Sequence, residues 1–186
     1  MRPRFSNSSW ENYKIINENQ KKIVKYLKEY VEDFSNRKES GIIILGNPGT
    51  GKTHLCSVIE KKIQNCVMVK AYDLFRQVKS TWKKEAEESE NEVIKSFRRA
   101  SLLIVDDIGL QFVTNAEKII LYEILDYRYD YLRPTILTSN CDLKTFENIV
   151  GNRIISRLSD GNGKILVFDW SDFRVSGDSY NGLRNA

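Results

Sequence analysis

Histidine is nearly absent, with His54 the only one in 186 residues, and cysteine is almost as scarce. Cys56, Cys66 and Cys141 are odd in number and have neither C-x-x-C spacing nor a companion histidine cluster, so no disulfide framework and no zinc site is expected. The three thiols are expected to be buried small apolar groups in a cytoplasmic protein. Long apolar runs are missing too. No stretch approaches the ~20 apolar residues of a membrane span, and residues 1–12 hold three charges and no apolar run of the signal-peptide kind. The chain is therefore expected to be soluble, unexported and without a membrane partner. Neither sign of charge dominates: 29 basic residues face 25 acidic ones for a net +4, interspersed along most of the chain. That balance permits a polyanionic partner without demanding one. There is no internal repeat, and no biased segment beyond the acidic patch at 85–92. What remains has the size of one globular domain able to bury most of its unfolded surface.

Hydrophobic patterning predicts alternating elements. Strands are expected at 41–45, 67–70, 101–106, 134–138 and 164–168. Helices are expected at 18–33, 51–64, from 72 into the charged stretch 83–92, at 116–131, and at 145–158 with a break at Gly151. Such alternation implies an α/β fold: a five-stranded parallel sheet with helices on both faces, three layers in all. The organisation read from this is an N-terminal extension and amphipathic helix at 1–40, a core at 41–175 and a polar tail at 176–186.

The run Gly46-Asn47-Pro48-Gly49-Thr50-Gly51-Lys52-Thr53 has the spacing G-x-x-x-x-G-K-T, lying after an expected strand and opening an expected helix. Glycines let such a loop wrap tightly and bring backbone N–H groups to phosphate oxygens. Lys52 adds charge at the outer phosphates, Thr53 adds a hydroxyl for Mg²⁺, and the helix N-terminus adds partial positive charge. ATP and Mg²⁺ are the expected ligands of this P-loop. Asp106 ends the strand at 101–106, where a metal-side carboxylate is needed. Asp107 follows, placed to orient or deprotonate an attacking water or else to cap the next turn before Gly109. Leu137-Thr138-Ser139-Asn140 ends another strand in small polar groups. Asn140 is placed either at the γ-phosphate and water or in an Asx-turn leading to Asp142. Arg153 and Arg157 lie four apart on a short helix, an arrangement suited to phosphate recognition or to a solvated face.

Together these residues resemble the AAA+ ATPases of bacterial helicase loading, the DnaC type. The resemblance spans about residues 5–180. It is carried by Phe5 with Trp10-Glu11-Asn12-Tyr13, by Gly49-Thr50-Gly51-Lys52-Thr53-His54-Leu55, and by Leu102-Leu103-Ile104-Val105-Asp106-Asp107-Ile108-Gly109. Arg133-Pro134-Thr135, Gly151-Asn152-Arg153-Ile154-Ile155-Ser156-Arg157-Leu158 and Phe168-Asp169-Trp170-Ser171-Asp172-Phe173-Arg174 complete it. It implies nucleotide contacts along Gly46–His54, with Asp106 and Asp107 at metal and water and Asn140 as a sensor. It further implies Arg157 as a finger inserted into a neighbouring subunit's site with Arg153 beside it, and Arg174 as a second sensor. Self-association in the ATP form, a replicative ring helicase as partner, and a grip on single-stranded DNA near Lys79, Trp82 and Lys83 are implied as well. Trp82 also falls on the apolar stripe of Tyr72, Phe75 and Val78, so a core place stays open for it.

Three departures from the pattern matter. Asp107 is one methylene shorter than the commoner Glu, which implies slow hydrolysis. The pattern begins almost at Met1, as in a fragment or in a trimmed phage or prophage relative lacking the usual N-terminal partner-binding domain. Too few residues follow Arg174 for a C-terminal helical lid. An IstB-type transposition helper acting on duplex DNA and a nucleotide-switched interaction module with little turnover are the competing expectations.

Overall fold

The computed structural model describes residues 3–36, 41–109 and 114–173. Five parallel strands form one sheet in the order β2-β3-β4-β1-β5: β1 (Gly41–Gly46), β2 (Cys66–Lys70), β3 (Leu102–Ile108), β4 (Thr135–Ser139) and β5 (Lys164–Phe168). All neighbouring strands are parallel, so every connection crosses a face of the sheet. The crossings are made by α2 (Lys52–Lys62), α3 (Ala71–Ser80), α4 (Glu90–Arg99), α5 (Asn115–Asp130), α6 (Leu143–Val150) and α7 (Asn152–Ser159), while α1 (Glu18–Glu32) precedes the sheet.

Alternate residues of each strand serve opposite layers. Ile42, Ile44, Leu102, Ile104 and Ile136 pack with α1 and α2, through Val24, Leu27, Leu55 and Ile59. Ile43, Leu45, Leu103, Val105 and Leu137 pack with α3 to α7, through Leu74, Phe97, Ile124, Phe146 and Ile154. That two-sided burial explains why the central strands are continuous apolar runs rather than alternating ones. Among the described residues no helix is long and apolar enough to cross a membrane.

The structure differs from expectation in several places and settles one open alternative. The helix expected from 72 into 83–92 stops at Ser80, where the Ser80 and Thr81 hydroxyls donate back to Gln77 O and Val78 O. A separate α4 begins after Ser89, whose side chain and that of Glu92 form a capping box. The helix at 145–158 is two helices joined at Gly151 (φ +86°), a backbone angle that favours glycine, and the first begins earlier because Asp142 caps it through Thr145 N–H. Trp82 and Tyr72 are exposed rather than core. Of the thiols only Cys56 is fully buried, and all three are free.

At the N-terminal edge of the sheet, Arg128 is completely buried. It donates to Phe97 O, Arg98 O, Ala100 O, Pro134 O and the Thr135 hydroxyl, tying α4, α5 and β4 together. Burial and then the charge of Arg133 push its guanidinium down to about 9, and the ring of carbonyl acceptors is what makes a cation tolerable there.

Candidate nucleotide-binding site

The opposite, C-terminal edge of the sheet opens into a cleft of about 460 Å³, lined among others by Gly49, Gly51, Lys52, Thr53, Asp106 and Asn140. This is where ligands sit in open parallel sheets. The Gly46–Thr53 loop runs from β1 into α2, with Gly49 at φ +75° and Gly51 at φ +92°. A side chain at Gly49 would collide with Asp172, and one at Gly51 would collide with the Tyr13 ring. The loop is thus clamped from behind. Tyr13 Oη and Trp170 Nε1 both donate to Thr50 O, at 3.0 and 2.9 Å, and Phe173 N–H donates to Gly49 O at 3.1 Å. Burial pushes the Tyr13 phenol up to about 12, so it remains a donor at any physiological pH.

Lys52 is buried, and its Nζ donates to Gly46 O at 2.5 Å and Asn47 O at 2.8 Å, across the mouth of the loop. The Thr53 hydroxyl lies 3.1 and 3.3 Å from the two oxygens of Asp106. A hydroxyl and a carboxylate converging at one point are the hard oxygen pair that Mg²⁺ takes alongside phosphate oxygens, so the residues present fit the metal that a P-loop implies. Asp106 is buried and also accepts from the Thr138 hydroxyl at 2.8 Å.

Asp107 lies within a register shift of β3 between Val105 and Ile108, with φ +65°. Its N–H donates to Thr138 Oγ1 at 2.9 Å, and its carboxylate accepts from Asn140 Nδ2 at 2.8 Å. The bulge therefore turns the second acid toward the cleft, against Asn140. Ser139, one residue earlier, points inward to Ile108 O and also takes the Cys141 N–H. The turn after β4 is thus made by Ser139, and Asn140 faces the cleft.

The remaining candidates are engaged by other parts of the chain or lie away from the cleft. His54 lines the cleft, but its Nε2 lies 3.0 Å from Ser9 O, and Lys61 donates to Ser6 O and Ser8 O, so α2 holds the N-terminal strap. Arg153 and Arg157 do not line the cleft of their own chain; both lie near Asp126 of α5. Lys79 is committed to Glu117 at 2.6 Å. Burial opposes the charge on Glu117, but Lys79 and the Thr114 donors outweigh it and hold its pKa below the usual carboxylate range. Trp82 is 53% exposed with Nε1 on Glu90, and Lys83 is exposed beside it. Arg174 lies outside the described residues.

Thr138 and Lys70 line the cleft and were not singled out in the sequence. Thr138 belongs to the polar strand end that was noticed. Lys70 closes β2 in register with Asp106, a pairing that needs the sheet order to be known.

A parallel sheet of this order, carrying a glycine loop, a lysine, a threonine and an aspartate on one edge, defines a P-loop nucleoside triphosphatase fold. The family model for IstB-like ATP binding proteins matches residues 7–181, and the chain belongs to that family. It is 35% identical to the replicative helicase loader DnaC of Buchnera aphidicola subsp. Schizaphis graminum, over 97% of this chain and 75% of that protein. It is 30% identical to DnaC of Escherichia coli strain K12 over the same shares. Among solved structures, that of the DnaC helicase loader superposes with a TM-score of 0.77 at 22% identity, covering 89% of this chain and 99% of the other. AMPPCP-bound DnaA from Aquifex aeolicus superposes with a TM-score of 0.71 at 24% identity, covering 89% and 50%. The fold is that of the AAA+ ATPases.

Proposed function

We propose that this chain is an ATP-switched loader that delivers a replicative ring helicase to single-stranded DNA in the cytoplasm. The observation that carries the reading is its alignment, over 97% of its length, with proteins named replicative helicase loader. The cleft supplies chemistry consistent with it. Backbone N–H groups of residues 46–53 and Lys52 bind the phosphates, Lys52 exchanging loop carbonyls for phosphate oxygens. Thr53 and Asp106 hold Mg²⁺, which neutralises phosphate charge. Asp107 orients the attacking water or takes its proton, and Asn140 holds Asp107 in place. The finger is Arg157 supplied to a neighbouring subunit, with Arg153 beside it, and Arg174 is the second sensor near the chain's own γ-phosphate. Trp82 and Lys83 form the DNA contact, an exposed indole for base stacking next to a lysine for the backbone. Lys79, tied to Glu117, supports that surface from within.

ATP turnover is expected to be slow, to be stimulated by single-stranded DNA and to rise more than linearly with protein concentration. The family description also names the IstB type, which makes a transposition helper the second reading. Stimulation by duplex DNA in preference to single strands would favour that reading. Absence of turnover with either DNA would leave a nucleotide-switched module.

A further inference from the structure

Helices α5 and α7 meet at a crevice lined by Tyr122, Asp126, Tyr129, Ile154 and Arg157. The Arg157 guanidinium is ion-paired with the Asp126 carboxylate. It also lies over two rings, 5.6 Å from the centre of Tyr122 and 5.1 Å from that of Tyr129. The Tyr129 hydroxyl donates to Asp160 at 2.7 Å, which fixes that ring. Only 18% of the Arg157 side chain is exposed, against 68% for Arg153, whose guanidinium lies 3.9 Å from the same carboxylate. A guanidinium that is to clamp a neighbour's phosphate needs its fork of N–H donors free. On this protomer the fork is turned inward onto an acid of the same chain.

We infer that Asp126 is a positioning residue that acts through Arg157: it parks the finger on its own protomer and releases it only to a neighbouring subunit that carries a γ-phosphate. The inference rests on the reading of Arg157 as a finger. Its logic is anion exchange. Guanidinium pairs equally well in shape with carboxylate or phosphate, and a partly exposed ion pair is weak enough to be displaced by a more highly charged anion. A subunit holding the diphosphate offers no terminal phosphate to replace Asp126, so the finger stays parked. The pair therefore sets the threshold at which ATP, and not ADP, drives assembly. The rings of Tyr122 and Tyr129 support the parked guanidinium by cation–π contact.

The test is sedimentation velocity of the full chain with a non-hydrolysable ATP analogue and with ADP, for the parent, Asp126→Asn, Asp126→Glu and Arg157→Ala. Asp126→Asn is expected to assemble at roughly two- to fivefold lower protein concentration, the change that loss of a partly exposed pair produces, and to begin assembling with ADP. Asp126→Glu, which keeps the charge, should restore most of the parent's threshold. An unchanged or raised threshold in Asp126→Asn overturns the latch. If Arg157→Ala assembles and hydrolyses ATP like the parent, the finger reading itself fails, a separate outcome. A second measurement on the parent stands if Asp126→Asn does not fold: the Arg157 side-chain Nε–H resonance, assigned by its loss in Arg157→Ala. It should move with the ATP analogue and stay in place with ADP. A resonance that moves equally with both, or with neither, overturns the inference.

Discussion

Replacing Arg128 with methionine keeps a long apolar stem but removes every donor. Four main-chain carbonyls and the Thr135 hydroxyl lose a partner, three of these five bonds being fully buried. A buried acceptor left unpaired costs about 1–3 kcal/mol. The carbonyls are clustered, so one entering water would satisfy more than one of them, and the total comes to about 3–5 kcal/mol, similar to breaking a buried ion pair. For a domain of this length that is a large part of a stability of about 5–15 kcal/mol, and at about 2–4 °C per kcal/mol it lowers Tm by roughly 10 °C. Circular dichroism melting measures it. The residues that Arg128 joins lie before β3 and at the start of β4, at the edge opposite the cleft, so calorimetric titration below Tm should find nucleotide affinity close to the parent's. A Tm within about 2 °C of the parent, or a loss of affinity with Tm unchanged, would refute the assignment of Arg128 as a tie between elements.

Lys52→Ala should weaken ATP binding by at least about tenfold, the worth of one charge-assisted contact to phosphate, with little change in Tm; fluorescent-nucleotide titration measures it. Thr138→Val removes the hydroxyl that bonds both Asp106 and the Asp107 N–H. It should lower kcat by about tenfold, corresponding to about 1.4 kcal/mol, with a smaller effect on KM, read from steady-state phosphate release. The folded state holds the Glu117 pKa below its unfolded value, so its contribution is present above about pH 4.3 and is lost as pH falls through the folded pKa. Acid titration of unfolding should therefore show Glu117→Gln less stable than the parent near neutrality, with the gap closing as pH falls below about 4.

Much of the sheet was legible because burial on both faces leaves an unmistakable mark: Ile42 to Leu45 and Leu102 to Val105 are unbroken apolar runs. The phosphate loop was legible for a different reason, since its chemistry is local and its spacing carries the geometry. α4 was missed even though Ser89 and Glu92 form a capping box, because the acidic patch that contains them masked the start of an apolar stripe at Val93, Ile94 and Phe97. Arg128 could not be recognised, since an arginine on an amphipathic helix looks solvated until Phe97, Ala100 and Pro134 are known to surround it. The pairing of Asp126 with Arg157 and the Tyr13 and Trp170 clamp on Thr50 join residues distant in sequence, and no periodicity reports such contacts. The bulge that gives Asp107 its positive φ was hidden as well, because two adjacent aspartates look alike until the register of β3 on β4 separates them.

The most direct test of the loader reading is transfer of a replicative ring helicase onto a closed circle of single-stranded DNA, followed by gel filtration of the DNA-bound fraction. With this chain and ATP, helicase should appear on the circle well above the level reached by helicase alone, and Lys52→Ala should abolish the gain. Equal helicase on the circle with and without this chain, at protein concentrations where ATP-driven assembly is complete, would contradict it.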